Sequence, residues 1–213
     1  MGGRVPTWRA AIGSTQLLSN LALAAWLGAD AVRVLLLAGD LAGEAVEIAA
    51  AAGVMAAAGF VLFRRRPLAQ DARPATVAIA LAAVLLPGLL SLLAPDDARP
   101  AGALLAVQAV AVLLMGAGIV CLGGNFSLLP QYRFLVTHGP YALVRHPIYA
   151  AYLVFDGALA AQSASALAAG VWLVEAVLLT LRARAEERLL GASDPSYAHY
   201  MARVPDRFFP FIA

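Results

Sequence analysis

Apolar residues in this chain run in long unbroken stretches, without the alternation of a half-buried strand or the three-to-four spacing of a surface helix. Five long apolar segments and one short one can be marked, at about 12–37, 44–63, 75–94, 101–124, 148–161 and 164–181. Runs of about 20 apolar residues match the hydrocarbon thickness of a bilayer. The pattern predicts an all-α, polytopic integral membrane bundle of about five to six transmembrane segments, ending in a helical hairpin. The short segment lies between Pro147 and Gln162, and Gln162-Ser163-Ala164-Ser165 supplies the hairpin turn. The second arm continues from Ala166 into Arg182–Leu190 without a breaker, with Gly191 expected to end it. Ser193-Asp194-Pro195-Ser196 reads as a cap opening a short helix through Arg203, and Phe208-Phe209-Pro210-Phe211-Ile212 as a return to the membrane interface. Gly53, Gly59, Gly116 and Gly118 offer small surfaces for close helix approach, and Pro87-Gly88 is expected to kink the third segment.

Composition agrees: 62% of the 213 residues are hydrophobic, 13% are charged and the mean hydropathy is +0.80. No cleavable signal is evident, so the first apolar stretch reads as a retained helix. Cys121 is the single cysteine, which excludes an intrachain disulfide and a cysteine-based metal cluster. All fifteen basic residues are arginine, and with the heavy use of alanine this suggests a bacterial source. With the N-terminus in the cytoplasm, only Arg33 and Arg99 of those fifteen fall outside, the bias that sets topology in short-looped membrane proteins. Localisation in a bacterial inner membrane with both termini cytoplasmic is the expectation. The net charge of +2 comes without a basic face interleaved with aromatics, so nucleic acid is not an expected partner.

Against this apolar background two polar islands stand out, His138-Gly139-Pro140-Tyr141-Ala142-Leu143-Val144-Arg145-His146-Pro147-Ile148-Tyr149 and Arg182-Ala183-Arg184-Ala185-Glu186-Glu187-Arg188-Leu189-Leu190. Helical spacing sets His146, Tyr149, Tyr152 and Asp156 near one face, and Glu175, Leu179, Arg182 and Glu186 near another. A tight hairpin would bring His146 and Tyr149 beside Arg182, Glu186 and Glu187 at the cytoplasmic surface, with Asp156 and Glu175 deeper.

Each of these residues has a plainer reading beside the functional one. A charge at membrane depth costs at least about 2.5 to 3.5 kcal/mol, so Asp156 and Glu175 are either hydrogen-bonded structural groups or part of a site. Arg145 either anchors the helix to headgroups or clamps a ligand carboxylate or phosphate. Tyr141, Tyr149, Tyr197 and Tyr200 can serve as interfacial anchors. His138 and His146 with two glutamates match no common zinc spacing, and no metal is expected. No Ser-His-Asp pattern, P-loop or GxGxxG occurs.

In order, GPYALVRHPIY, an apolar hairpin, EERLL and YAHYMARVPDRFFPFI resemble the isoprenylcysteine carboxyl methyltransferase family and its bacterial phospholipid methyltransferase-like relatives. The resemblance runs from Asn125-Phe126-Ser127 to the end, dividing the chain into N-terminal helices (1–124) and a catalytic, cofactor-binding region (125–213) within one membrane domain. It departs at Ala151, where relatives often have glycine, and at Ala142, where a basic residue is common. It implies a membrane-embedded methyltransferase using S-adenosylmethionine. Matched by motif, His138, Gly139, Pro140, Tyr141, Arg145, His146, Pro147, Tyr149, Glu186, Glu187 and Leu190 would hold the cofactor. Arg145, His146, Glu187 and Arg203 would be catalytic. Tyr152, Asp156, Glu175, Tyr200 and Arg203 are candidates for the acceptor side, the acceptor being a lipophilic small molecule or lipid with a carboxylate, thiol or amine. The alternatives are an NADPH-dependent membrane reductase of the sterol reductase type, which shares an RHPxY-like element, and a non-enzymatic membrane scaffold.

Overall fold

The structure, a computed structural model, describes residues 67–93 and 102–211. The expected segments at 12–37 and 44–63, with Gly53 and Gly59, lie outside the described residues, as do Arg33 and Arg99.

Five helices carry the described fold: α1 (Pro74–Leu93), α2 (Gly102–Leu122), α3 (Pro147–Ser163), α4 (Ala166–Ser193) and α5 (Ser196–Arg203). Tight 3₁₀ turns at Gly123–Asn125 and Gly139–Ala142 punctuate the long connection from α2 to α3. Two helical stretches, Gly102–Asn125 and Ala166–Ser193, are long and apolar enough to cross a membrane, while Pro74–Leu90 is a shorter apolar run. Both long stretches leave most of their surface uncovered, presenting Val110, Leu113 and Val120 on one and Leu167, Leu173 and Val177 on the other. Water would not tolerate such apolar faces, whereas acyl chains do.

The all-α expectation needs one correction. Chain ahead of α1 forms β1 (Ala69–Gln70), which pairs antiparallel with β2 (Gln131–Tyr132), Ala69 opposite Tyr132 and Gln70 opposite Gln131. Two-residue strands are too short for alternation to register in a sequence. Their role is to fasten the chain entering α1 to the loop leaving α2, with Leu68 N donating to the Tyr132 carbonyl at 2.7 Å and Asp71 N to that of Pro130 at 3.0 Å.

Helix α2 lies on α3, α1 lies on α4, and α3 and α4 form the hairpin. Met115 and Ile119 meet Ile148, Tyr149 and Leu153, which in turn meet Leu179 and Ala183. At the hairpin end Leu90, Ala160, Ala168 and Val171 form a second cluster. Gly118 permits the α2–α3 approach, since a Cβ there would lie 2.7 Å from Ile148 Cγ1. Gly116 meets nothing in the same way, so only one of that pair acts as expected. α1 runs through Pro87.

The hairpin turn falls at the expected place. Ala164 takes the left-handed conformation (φ 45°), and the Ser165 side chain accepts from Ala168 N at the start of α4. The end of α4 differs from expectation: the helix passes through Gly191 and stops at Ser193. Asp194 and Pro195 set that end. Proline disfavours helical geometry in the residue before it, and the Asp194 side chain turns to accept from Ser196 N and Oγ at 2.9 and 2.6 Å.

Candidate functional site

Three pieces of chain converge where the hairpin's polar ends meet. One is the approach to α3, where His146 immediately precedes the helix and Pro147 opens it; proline suits that position because its missing N–H is not needed there. The second is the polar end of α4. The third is a strap, residues 204–211, that returns from α5 across the first two. Arg145 N donates to the Asp206 carbonyl at 3.0 Å and His146 N to that of Arg207 at 2.9 Å, so the strap is stitched to the α3 approach by its backbone.

Glu187 is the centre of the charge pattern. Its Oε1 accepts from Arg145 Nε at 2.9 Å and Arg207 Nε at 3.1 Å and faces His146 Nε2 at 3.2 Å. Its Oε2 accepts from Arg207 Nη2 at 2.8 Å. The Arg145 guanidinium also donates from Nη1 to the carbonyls of Val204, at 2.9 Å, and Pro205. Arg145 is therefore engaged by the protein itself, holding the strap to α4.

One residue earlier, Glu186 faces a different set of partners. It accepts from the Tyr149 hydroxyl, lies 3.4 Å from Arg182 Nε, and has Oε2 3.7 Å from His146 Nδ1. The His146 and Tyr149 rings stack with centroids 5.4 Å apart and planes 6° from parallel. The Arg182 guanidinium carbon sits 5.1 Å from the Tyr149 ring centre, a cation–π geometry. Arg182 also donates from Nη2 to the Ser127 carbonyl at 3.2 Å, while its buried Nε makes no hydrogen bond among the described residues. Phe208 presents its ring to His146 at 61° with 6.1 Å between centroids.

Most of the other expected residues form a wall. Tyr200 donates to the Tyr141 carbonyl at 2.7 Å, and Tyr197, Tyr200 and Val204 pack together with Leu190 and Leu135 against them. Burial pushes the Tyr200 hydroxyl up to about 12 and raises Tyr141 further, so both are protonated donors at neutral pH. Pro140 and Gly139 form the turn below this wall. Gly139 has φ 61° and a Cβ there would meet Cys121 Sγ at 2.5 Å, two independent requirements for glycine. Tyr152 is half-buried against the main core.

Not every expected residue joins the cluster. His138 and Arg203 are exposed, and Arg203 reaches Tyr200 only through its field. Asp156 and Glu175 are 4% and 0% exposed and face each other across the α3–α4 interface. Seven residues along α3 separate Asp156 from Tyr149, which is about 10 Å of helix rise, so this acidic pair is a separate feature. The terminal phenylalanines divide: Phe208 and Phe209 fold onto the core, and only Phe211 is fully exposed.

Arg207 and Phe208 are members of the cluster that sequence reasoning missed, and Arg182 was placed beside it without a role. The available signal was Asp206-Arg207, a charged pair set within an otherwise apolar ending.

Residues 103–192 match the model of the isoprenylcysteine carboxyl methyltransferase (ICMT) family. Among curated proteins, the chain is similar to the cobalt-zinc-cadmium resistance protein CzcN of Cupriavidus metallidurans, 40% identical over 77 residues that make up 36% of this chain and 35% of that protein. It is also similar to the nickel-cobalt-cadmium resistance protein NccN of Alcaligenes xylosoxydans xylosoxydans, 39% identical over 77 residues, 36% of each chain. The match thus covers 35% and 36% of the length of these relatives.

Proposed function

We propose that this protein transfers a methyl group from S-adenosylmethionine to a lipophilic acceptor at the polar end of its α3–α4 hairpin, on the cytoplasmic side, as the match of residues 103–192 to the isoprenylcysteine carboxyl methyltransferase family, a family of membrane methyltransferases, supports. The observation that carries this reading is the pairing of the two motif segments: Tyr149 and His146 from one meet Glu186 and Glu187 from the other.

The donor set fits the cofactor. Arg182 Nε is buried, 3.4 Å from Glu186 Oε1 and without a hydrogen bond among the described residues, so its guanidinium can turn to a ligand carboxylate. Glu186 Oε2 lies 3.7 Å from His146 Nδ1 and suits an ammonium. The Tyr149 ring is taken up by His146 and Arg182, which leaves Phe208 as the neighbouring ring that can offer a π-face to a cation. When bound, S-adenosylmethionine supplies an electrophilic methyl group.

The protein's own part is positioning and exclusion of water. Arg145 and Glu187 lock the strap, the strap seats Phe208 on His146, and the Tyr141–Tyr200 wall closes the side. A carboxylate acceptor needs no base, whereas a thiol or amine does. Of the two expected bases, Glu187 is already engaged by two guanidiniums, Arg145 and Arg207, so His146, with Nδ1 facing Glu186, is the group for that proton. The relatives are named for metal resistance; among the described residues no cluster of three or more His, Cys, Asp or Glu side chains is placed to hold a metal.

The test is stabilisation of the purified protein by S-adenosylhomocysteine in a thermal unfolding assay, followed by transfer of labelled methyl to membrane lipid extract and to lipophilic thiols, amines and carboxylates. A folded protein that millimolar S-adenosylhomocysteine leaves unmoved would sink the reading, and NADPH binding in its place would favour the reductase.

A further inference from the structure

One face of α4 changes character abruptly. Leu173, Val177 and Leu181 are exposed at successive intervals of four, the geometry of a stripe meeting lipid. Arg184 and Arg188 continue the same face at intervals of three and four, and both are exposed. Among the described residues neither arginine forms an ion pair or hydrogen bond, whereas Arg182, on the buried side of the same helix, is engaged by Glu186, Tyr149 and Ser127.

These two arginines line a cavity of about 280 Å³ together with Glu187 and Met201. Glu187 also lines it but is neutralised by Arg145 and Arg207, so it does not cancel the two free cations. Met201, on α5, is 38% exposed and adds an apolar wall. Paired guanidiniums with five N–H donors each recognise phosphate oxygens. The apolar stripe leading straight to them fits acyl chains.

We infer that this cavity is a binding site for the phosphate of an anionic glycerophospholipid, whose acyl chains lie along Leu181, Val177 and Leu173. The stripe selects a lipid over a free phosphate, because a soluble anion would gain nothing from it. A lipid seated there rests beside Glu187, at the edge of the polar cluster, yet the site stands independently of methyl transfer.

The experiment uses the full chain in neutral detergent, with native mass spectrometry reading the retention of phosphatidylglycerol, phosphatidylcholine and inorganic phosphate. The wild-type protein retains phosphatidylglycerol in preference to phosphatidylcholine. In the R184Q/R188Q variant the preference weakens by about thirtyfold, each arginine near an anionic headgroup contributing about a fivefold factor. M201E, which leaves both arginines in place but puts a carboxylate at the cavity wall, weakens it as well and serves if the double variant does not fold. Equal retention of the two lipids by the wild type, unchanged preference in the variants, or inorganic phosphate competing as strongly as lipid would each overturn the assignment.

Discussion

Arg145 Nε donates to Glu187 Oε1 at 2.9 Å, joining two side chains that are 42 residues apart in sequence and each about 10% exposed. Because Glu187 also engages His146 and Arg207, it is the anion that Arg145 and Arg207 share. Glu187→Gln therefore leaves Arg145 and Arg207 facing each other without their counter-ion. A loss of about 3 kcal/mol is expected, measured as a lowered unfolding midpoint in detergent. The Arg145→Ala variant should lose a comparable amount, and the double variant less than the sum, since the two share one interaction.

Tyr149→Phe removes one hydroxyl and keeps the ring between His146 and Arg182. Its hydrogen bond to the Glu186 side chain is worth about 1 to 2 kcal/mol, and losing it frees Glu186 to turn. Binding of S-adenosylhomocysteine should weaken while the fold survives. Calorimetry alongside thermal unfolding separates the two effects; unchanged affinity would place Tyr149 outside the binding site.

Ala164 holds a left-handed conformation that costs a residue with a Cβ about 1 kcal/mol. Ala164→Gly should relieve this and raise stability by a few tenths to about 1 kcal/mol, the gain being reduced by glycine's greater freedom when unfolded. Thermal unfolding of the purified variant reads the sign directly.

Acid should weaken the junction ahead of α1. Asp71 accepts from Arg73 Nε and Nη2 at 2.9 and 2.6 Å, from Arg73 N at 3.1 Å and from Thr76 Oγ1 at 3.0 Å, and the Arg73 guanidinium foremost holds its carboxyl down at about 2. A carboxylate depressed in the folded state contributes its full stability above the unfolded value of about 4 and loses it as the pH falls towards 2. The unfolding midpoint should fall across that interval, and Asp71→Asn should flatten this part of the profile. Arg73 is 65% exposed, so salt should shrink the effect.

The hairpin and the meeting of its two polar ends were legible because both rest on local rules: a polar turn at Gln162–Ser165 and side chains repeating at helical intervals on two adjoining arms. Those rules brought His146 and Tyr149 beside Arg182, Glu186 and Glu187. The strap was not legible. It has no periodicity, and its bonds are to backbone carbonyls at Val204 and Pro205, which carry no residue identity to read. Without it Arg145 looked free to clamp a ligand, and nothing marked Arg207. The β1–β2 pair escaped for a related reason, its partners being 63 and 61 positions apart and its strands too short to alternate. Gly191 misled because glycine is a common helix end, whereas here the stop comes from the proline and aspartate that follow.

The strap also makes the site a late event in the life of the chain. Arg145 emerges from the ribosome 59 and 60 residues before the carbonyls of Val204 and Pro205 that it will bind. Throughout that interval α3 and α4 can enter the bilayer and pair, but the arginine and its neighbour His146 have only water and half of their partners. Membrane insertion and site assembly are thus separated in time, and a chain cut short of residue 204 would insert its hairpin and never complete the centre.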